Sequence, residues 1–462
     1  MIGIIIGIIM IVVVGYAIIK GKYAPMVLFA SGGIMLLCAV IFETGSFLPK
    51  KALNTGNDYL NIVEFVRYAF SNCLAELGLI IMVMVGFASY MTHIGANDAF
   101  VSLIIRPLKK VKRPYLMLFF AFLLAKAISM VITSAVGLGV LCLALMGPAL
   151  IALGINKLSI GAICATSGAA SLVLVGASTM ASAQATSLTI LDYVFIYKIP
   201  AGIPTVIVMG LAHVFWQRYL DKKEGWNCND HIGDSMIFDE EVKRPKINAP
   251  MFYALFPFLP MIFVVLFSEY GIESIHLHIA TIILLSIIIA MLCEILRNKF
   301  KFDDVASGLK IVLQAMGRSM SGVVSLIVAA GIFAEGFKAL GMLDAIVHMA
   351  NQIGLGGFGM SVMFVIITTL VAIIAGSNGA SFYPLIEMVP SVAKQLGVNP
   401  VMLVLPMHQA STIARPLSPV AGVVVALAGM LKVSPLELVK RCSVPCLLGL
   451  ISHHLFVFVL SL

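Results

Sequence analysis

The sequence predicts an all-α polytopic membrane protein made of two inverted-topology repeats, each holding a re-entrant hairpin and a broken helix. Three observations predict it. Of 462 residues, 61% are hydrophobic and 11% charged, against about 25% charged in an average soluble domain, so a soluble fold is excluded. Apolar runs recur along the whole chain, several of them approaching the roughly 20 residues that cross a bilayer as a helix. A segment near residue 90 returns near residue 335 with the charge of its flank removed.

The runs are, in order, residues 2–19, 26–42, 79–91, 115–131, 140–153, 193–215, 253–267, 279–296, 323–337, 360–375, 401–405, 420–431 and 446–460. The first has no basic stretch before it and meets Lys20 without a small-residue cleavage site, so it is expected to be a retained helix rather than a signal peptide. Several later runs are too short to span alone. Basic residues gather at Lys20 and Lys22, at 106–113, at 218–246 and at 297–301, whereas 46–71 mixes signs and 268–278 lacks Lys and Arg. The positive-inside rule puts the basic clusters in the cytoplasm and the other two loops outside. The net charge of +8 therefore reports topology and not a nucleic-acid partner. Most of the eight cysteines lie in or beside apolar runs without metal-type spacing, and read as small core residues.

Internal repetition sets the organisation. Residues 86–99 match 332–345, sharing Phe87/Phe333, Ala88/Ala334, Gly95/Gly341, Asp98/Asp344 and Ala99/Ala345. The match continues with Gly137 and Gly379, Pro148 and Pro390, Asn156 and Asn399, and Leu174 and Leu417. The first copy then has five basic residues within 99–114, but 345–361 has none, so the copies face opposite sides of the membrane. Expected boundaries are leading helices and an outer loop at 1–74, a first repeat at 75–216, a cytoplasmic linker at 217–248, connecting helices at 249–304 and a second repeat at 305–462. The linker is too short to bury a core of its own.

Each repeat joins two apolar arms at a small, polar stretch, 132–139 and 375–381, expected to be a hairpin tip. A second pair of breaks is expected at 166–179 and 409–419. Broken backbone in lipid leaves groups unsatisfied at several kcal/mol each, so it belongs inside the protein or along a wet cavity. Freed amides at half-helix N-termini attract anions there, and freed carbonyls hold cations. Arg415-Pro416 and Ser418-Pro419 cannot continue a regular helix and place a guanidinium in an apolar region. Arg415 is thus the leading anion ligand, with Ser377 and Asn378 at a tip; the competing reading has Arg415 at the membrane edge or paired with Glu387. Lys126 either enters the site or snorkels. His408 and Glu387 are candidate coupling or proton sites, a hydrogen-bonded core histidine being the alternative for His408. Asp98 and Asp344 read as helix N-caps. No histidine precedes a glutamate, and no Gly-x-Ser-x-Gly or Walker sequence occurs. The sequence therefore predicts no enzyme, cofactor or metal centre, and transport driven by Na+, H+ or exchange.

Over nearly its whole length the chain resembles the anaerobic C4-dicarboxylate carriers of the DcuC and DcuD type, most specifically at residues 86–98, 216–224, 418–425 and 434–441. The resemblance implies uptake, efflux or exchange of fumarate, malate, aspartate or succinate in a bacterial inner membrane. It also implies the ion-transporter superfamily architecture, a homodimer whose transport domains move as elevators against a fixed scaffold. On that pattern Ser377, Asn378, Ser381, Thr412 and Arg415 form the second-repeat part of the site, and Thr133, Ser134, Gly137, Ser178 and Thr179 the first. A carrier of another small organic anion or amino acid shares this architecture. A channel fits the paired breaks poorly, since those suit alternating access.

Overall fold

The computed structural model describes residues 2–461 apart from 21, 106–112, 174–175, 232–248, 269–271, 273, 276, 299–301 and 353–355. Most of the basic cluster at 106–113, most of the linker, Lys299, Lys301 and the Leu174 repeat match lie outside the described residues. The regular elements among the described residues are helices.

Helices α1 (Ile2–Ile19) and α2 (Ala24–Ile41) lead. Helix α3 (Asp58–Cys73) runs through a π-turn at Leu74–Gly78 into α4 (Leu79–His93). This corrects the expected outer loop at 46–71, which is helical from Asp58 onward. The side chain of Asn57 accepts the amides of Tyr59 and Leu60, and Asp58 complements the dipole in the first turn. Polar residues on one face of α3 dilute its mean hydropathy, so a search for apolar runs passes over it. Next come α5 (Ala96–Ile105), α6 (Pro114–Ser129), α7 (Ala135–Ala152), α8 (Lys157–Ala165), α9 (Ala177–Ala185) and α10 (Ile199–Lys223), the last continuing a π-turn at Asp192–Lys198. A 3-10 stretch, Met251–Phe258, precedes α11 (Leu259–Leu266) and α12 (Ile279–Arg297).

Helix α13 (Phe302–Ser319) passes through a π-turn at Met320–Val324 into α14 (Ser325–Ala339). After it come α15 (Met342–Gln352), α16 (Gly356–Ala375), α17 (Asn378–Ile386), α18 (Val389–Leu396), α19 (Val401–Ala414), α20 (Gly422–Leu431) and α21 (Pro435–Ser461). Among the described residues, nine helical stretches are long and apolar enough to cross a membrane. The chain is a polytopic membrane protein. Two expectations change here. Asp98 and Asp344 stand inside the first turns of α5 and α15 instead of capping them. The short run at 401–405 extends to Ala414, so Gln409 to Thr412 are helical and the second break begins at Arg415.

Two apolar cores form. One joins α2, α4, α12, α14 and α16 to α19; the other joins α6, α7, α8, α20 and α21. Helices α2 and α14 cross closely because Gly32 and Gly336 lack side chains at the contact: a Cβ on Gly32 would lie 2.7 Å from the Phe333 amide nitrogen.

Candidate substrate site

The interruptions are locally encoded. Ser134 caps α7 by accepting the Gly137 amide at 3.3 Å, and Ser377 caps α17 by accepting the Ala380 amide at 3.4 Å. Before Ser377 the chain turns at Gly376, whose φ of +64° suits glycine. A Cβ there would also lie 3.0 Å from the Ala421 backbone. Helix α8 stops at Ala165 and regular helix resumes only with α9 at Ala177. Helix α19 tightens into a 3-10 turn, Arg415–Leu417, where Pro416 has no amide proton to continue the ladder.

These interruptions enclose a cavity of about 430 Å³ between the two cores. Thr133, Ser377 and Asn378 line it from the tips, and Ser178, Thr179, Thr412 and Arg415 from the breaks. Three other expected residues stand just outside the wall. Ser134 and Gly137 are occupied with each other in the cap of α7, and Ser381 is buried, its hydroxyl donating to the Asn378 carbonyl at 2.9 Å.

The wall favours an anion. Helices α7, α9 and α17 begin at Ala135, Ala177 and Asn378, all on the cavity wall, so free amides and positive dipole ends face it. Arg415 adds a full charge. Its Nε is buried without a hydrogen-bond partner, and no ion pair joins it to Glu387. Glu387 instead lines a separate cavity of about 380 Å³ with Glu76 and Glu335, which removes the reading of Arg415 as its packing partner. His408 is fully buried one hydrogen bond behind the wall: Nε2 meets Ser178 Oγ at 2.9 Å, and Nδ1 meets Tyr193 OH at 3.2 Å and Ser182 Oγ at 3.3 Å. Among the described residues no group of three His, Cys, Asp or Glu side chains is placed to hold a metal.

Lys126 does not snorkel. It is buried, and its ammonium donates to the carbonyls of Thr166, Ser167 and Ala169. Lys198, which sequence reasoning missed, is fully buried and donates to the Val173 carbonyl at 2.6 Å and to Thr179 Oγ1 at 2.7 Å. The signal was present as a lysine within the apolar run 193–215.

A second missed feature is a clasp between α10 and the start of α21. Trp216 Nε1 donates to the Lys440 carbonyl at 3.1 Å and Gln217 Nε2 to the Arg441 carbonyl at 2.9 Å. Arg441 Nη1 reaches Asp221 at 2.6 Å, both side chains being buried, and Nη2 pairs with Glu224. From Gln217 the network continues through His213 to Thr166, beside Lys126. Two of the most specific stretches in the sequence, 216–224 and 434–441, are thus one structural unit.

The sequence pattern of the DcuC family, described as C4-dicarboxylate anaerobic carrier, matches residues 2–462. The chain belongs to the DcuC family. A relative from Escherichia coli strain K12, the anaerobic C4-dicarboxylate transporter DcuC, is 41% identical over 96% of this chain and 94% of its own. A probable anaerobic C4-dicarboxylate transporter DcuC from Vibrio cholerae is 38% identical over 98% of this chain and 96% of its own. The fold is similar to that of the Alcanivorax borkumensis YdaH transporter, with a TM-score of 0.65 at 14% identity over 94% of this chain and 98% of that one. Neisseria gonorrhoeae MtrF, of a class of antimetabolite efflux pumps, gives 0.58 at 15% identity over 94% of each chain. This DcuC-family member is a transporter and not an enzyme, and a multi-pass protein of the bacterial inner membrane.

Proposed function

We propose that the chain is a secondary carrier of C4-dicarboxylates, fumarate, succinate, malate and aspartate among them. Transport is driven by coupling to Na+ or H+ or by exchange, with succinate efflux as one direction. The observation that carries this reading is Arg415, whose buried Nε has no hydrogen-bond partner among the described residues, on the wall of a cavity onto which three helix N-termini open. One carboxylate takes two parallel hydrogen bonds from the guanidinium. The other takes the free amides of α9 and α17 with the hydroxyls of Ser178 and Ser377. A volume of about 430 Å³ is in the range of small-molecule sites. Full-length relatives that are named C4-dicarboxylate transporters support the same substrate class.

The carrier works as two inverted repeats, 75–216 and 305–462, within the divisions expected from the sequence. Paired local features support this. Helices α4 and α14 are each 15 residues long and each follows a π-turn. Gly95 and Gly341 both close them at φ +74°, and Gly154 and Gly397 both have positive φ. Asn156 caps α8 by accepting the Leu158 amide, and Asn399, one residue before the cap position of α19, likewise accepts the amide two residues on, that of Val401. Helices α3 and α13 precede the π-turns in the same way, which extends the first repeat back to residue 58. Paired hairpins and broken helices suit an elevator-type transport domain moving against a scaffold in a homodimer.

The test is uptake of labelled fumarate into proteoliposomes preloaded with succinate and into empty ones, with aspartate, citrate and short-chain fatty acids as competitors. Saturable uptake blocked by C4-dicarboxylates is expected, with internal succinate accelerating it if exchange operates. Uptake blocked by citrate or fatty acids in their place would assign the cavity to another organic anion.

A further inference from the structure

We propose that the Lys126 ammonium is a tethered cation: it fills a cage of carbonyl oxygens in the first break, and the cage accepts a free monovalent cation once the lysine side chain is removed. Helix α8 ends at Ala165, leaving carbonyls that carry the negative end of its dipole. Those of Thr166 and Ser167 lie 3.0 and 2.8 Å from Lys126 Nζ, and that of Ala169 completes the set. An ammonium has three protons and no acceptor, so three carbonyls satisfy it fully. No carboxylate takes part in the hydrogen bonds of Lys126 Nζ; the charge is balanced by backbone oxygens, as a bound ion would be.

Backbone strain beside the cage fits this role. Ala170, fully buried, has φ +47°, in the left-handed region that non-glycine residues rarely adopt. Its amide belongs to the peptide that carries the Ala169 carbonyl, so the loop keeps an unfavourable turn next to an oxygen held on the lysine. Lys198 holds the far end of the same segment at the Val173 carbonyl and Thr179. The segment between the two lysines places Gly168 against Arg415 and Ser171 on the cavity wall. Lys126 is therefore a positioning residue, acting on Arg415 through the loop.

The two halves differ at this point, because residues 345–393 of the second contain neither Lys nor Arg. With the first break already neutralised, a coupling cation binds only in the second half. That last step rests on the proposed carrier function; the cage itself does not.

The decisive experiment is thermal unfolding of the purified full chain without substrate, in sodium, ammonium, methylammonium and choline chlorides at equal ionic strength. The wild type sets the reference in each salt, because a cation bound in the second half shifts its unfolding too, and each variant is read as its difference from that reference. Lys126→Ala is expected to unfold earlier in choline and to regain about 5 °C, saturably, in at least one of the small cations. Lys126→Met, which fills the space with an uncharged chain, is expected to show no such gain. A Lys126→Ala protein indifferent to the cation, or a Lys126→Met protein that gains equally, would overturn the proposal. If neither variant folds, the wild type decides: cation dependence of substrate binding with a Hill coefficient of 1 or less supports it, and a coefficient near 2 overturns it. Because unfolding is read without substrate, failure of dicarboxylate transport would leave the stability result standing.

Discussion

Gly168 and Arg415 share one space: a Cβ on Gly168 would come within 2.9 Å of Arg415 Nη2. The absence of a side chain at 168 lets the guanidinium lie against the loop of the first break, and so sets how far it reaches into the cavity. Gly168→Ala is expected to displace the guanidinium and to raise the half-saturation concentration for fumarate about tenfold, corresponding to roughly 1.4 kcal/mol. The maximal rate should change less. Initial rates in proteoliposomes measure both, and unchanged half-saturation would mean that the guanidinium adapts without cost.

Arg415→Ala is expected to abolish dicarboxylate uptake while leaving expression and unfolding temperature close to wild type, because its buried Nε bonds no protein group that would be left unpaired. Hydrogen bonds to charged groups contribute about 1.5–3 kcal/mol each, so loss of even one weakens binding by roughly ten- to a hundredfold. Arg415→Lys keeps the charge but not the fork, and should retain weak transport. Normal uptake by a well-folded Arg415→Ala protein would remove this residue from the site.

The clasp at the start of α21 predicts a stability effect separate from binding. Arg441 and Asp221 are buried and paired at 2.6 Å. Removing one partner leaves an uncompensated buried charge, at a cost of about 3–5 kcal/mol. Arg441→Met should therefore lower the unfolding temperature markedly, and the double variant Arg441→Met with Asp221→Leu should recover part of the loss. Calorimetry in detergent measures it; additive losses would show that the two charges do not act as a pair.

At the crossing of α2 and α14, Gly32→Ala is expected to destabilise by about 1–3 kcal/mol, because the added methyl would meet main-chain atoms of Ile332 and Phe333 that cannot rotate away. Gly33→Ala, one position along and facing open space, is its control and should be neutral or slightly stabilising. Equal effects at both positions would argue against the close crossing.

Much of the cavity wall that forms the candidate site was legible because its signals are local. A proline after Arg415 and a glycine-serine pair at 376–377 interrupt a helix whatever surrounds them, and both interruptions are found. Arg415 was conspicuous as a charge in an apolar region, and it lines the cavity. Six of the nine other residues expected at the site do so too; Ser134, Gly137 and Ser381 are drawn instead into cap and turn hydrogen bonds that compete for the same groups. Helix α3 escaped notice because a half-polar helix lowers the average over any window.

By itself, then, the sequence determined the membrane class and most of the points where the helices break, since hydropathy and the chemistry of proline and glycine act within a few residues of themselves. Only the tertiary structure decided what the buried charges do. Lys126 meets carbonyls some 40 residues away, Arg441 meets a carboxylate 220 residues away, and Glu387 faces a cavity apart from that of Arg415. A buried charge is stable only with partners, and which partners it finds depends on the packing of helices that are far apart in the chain.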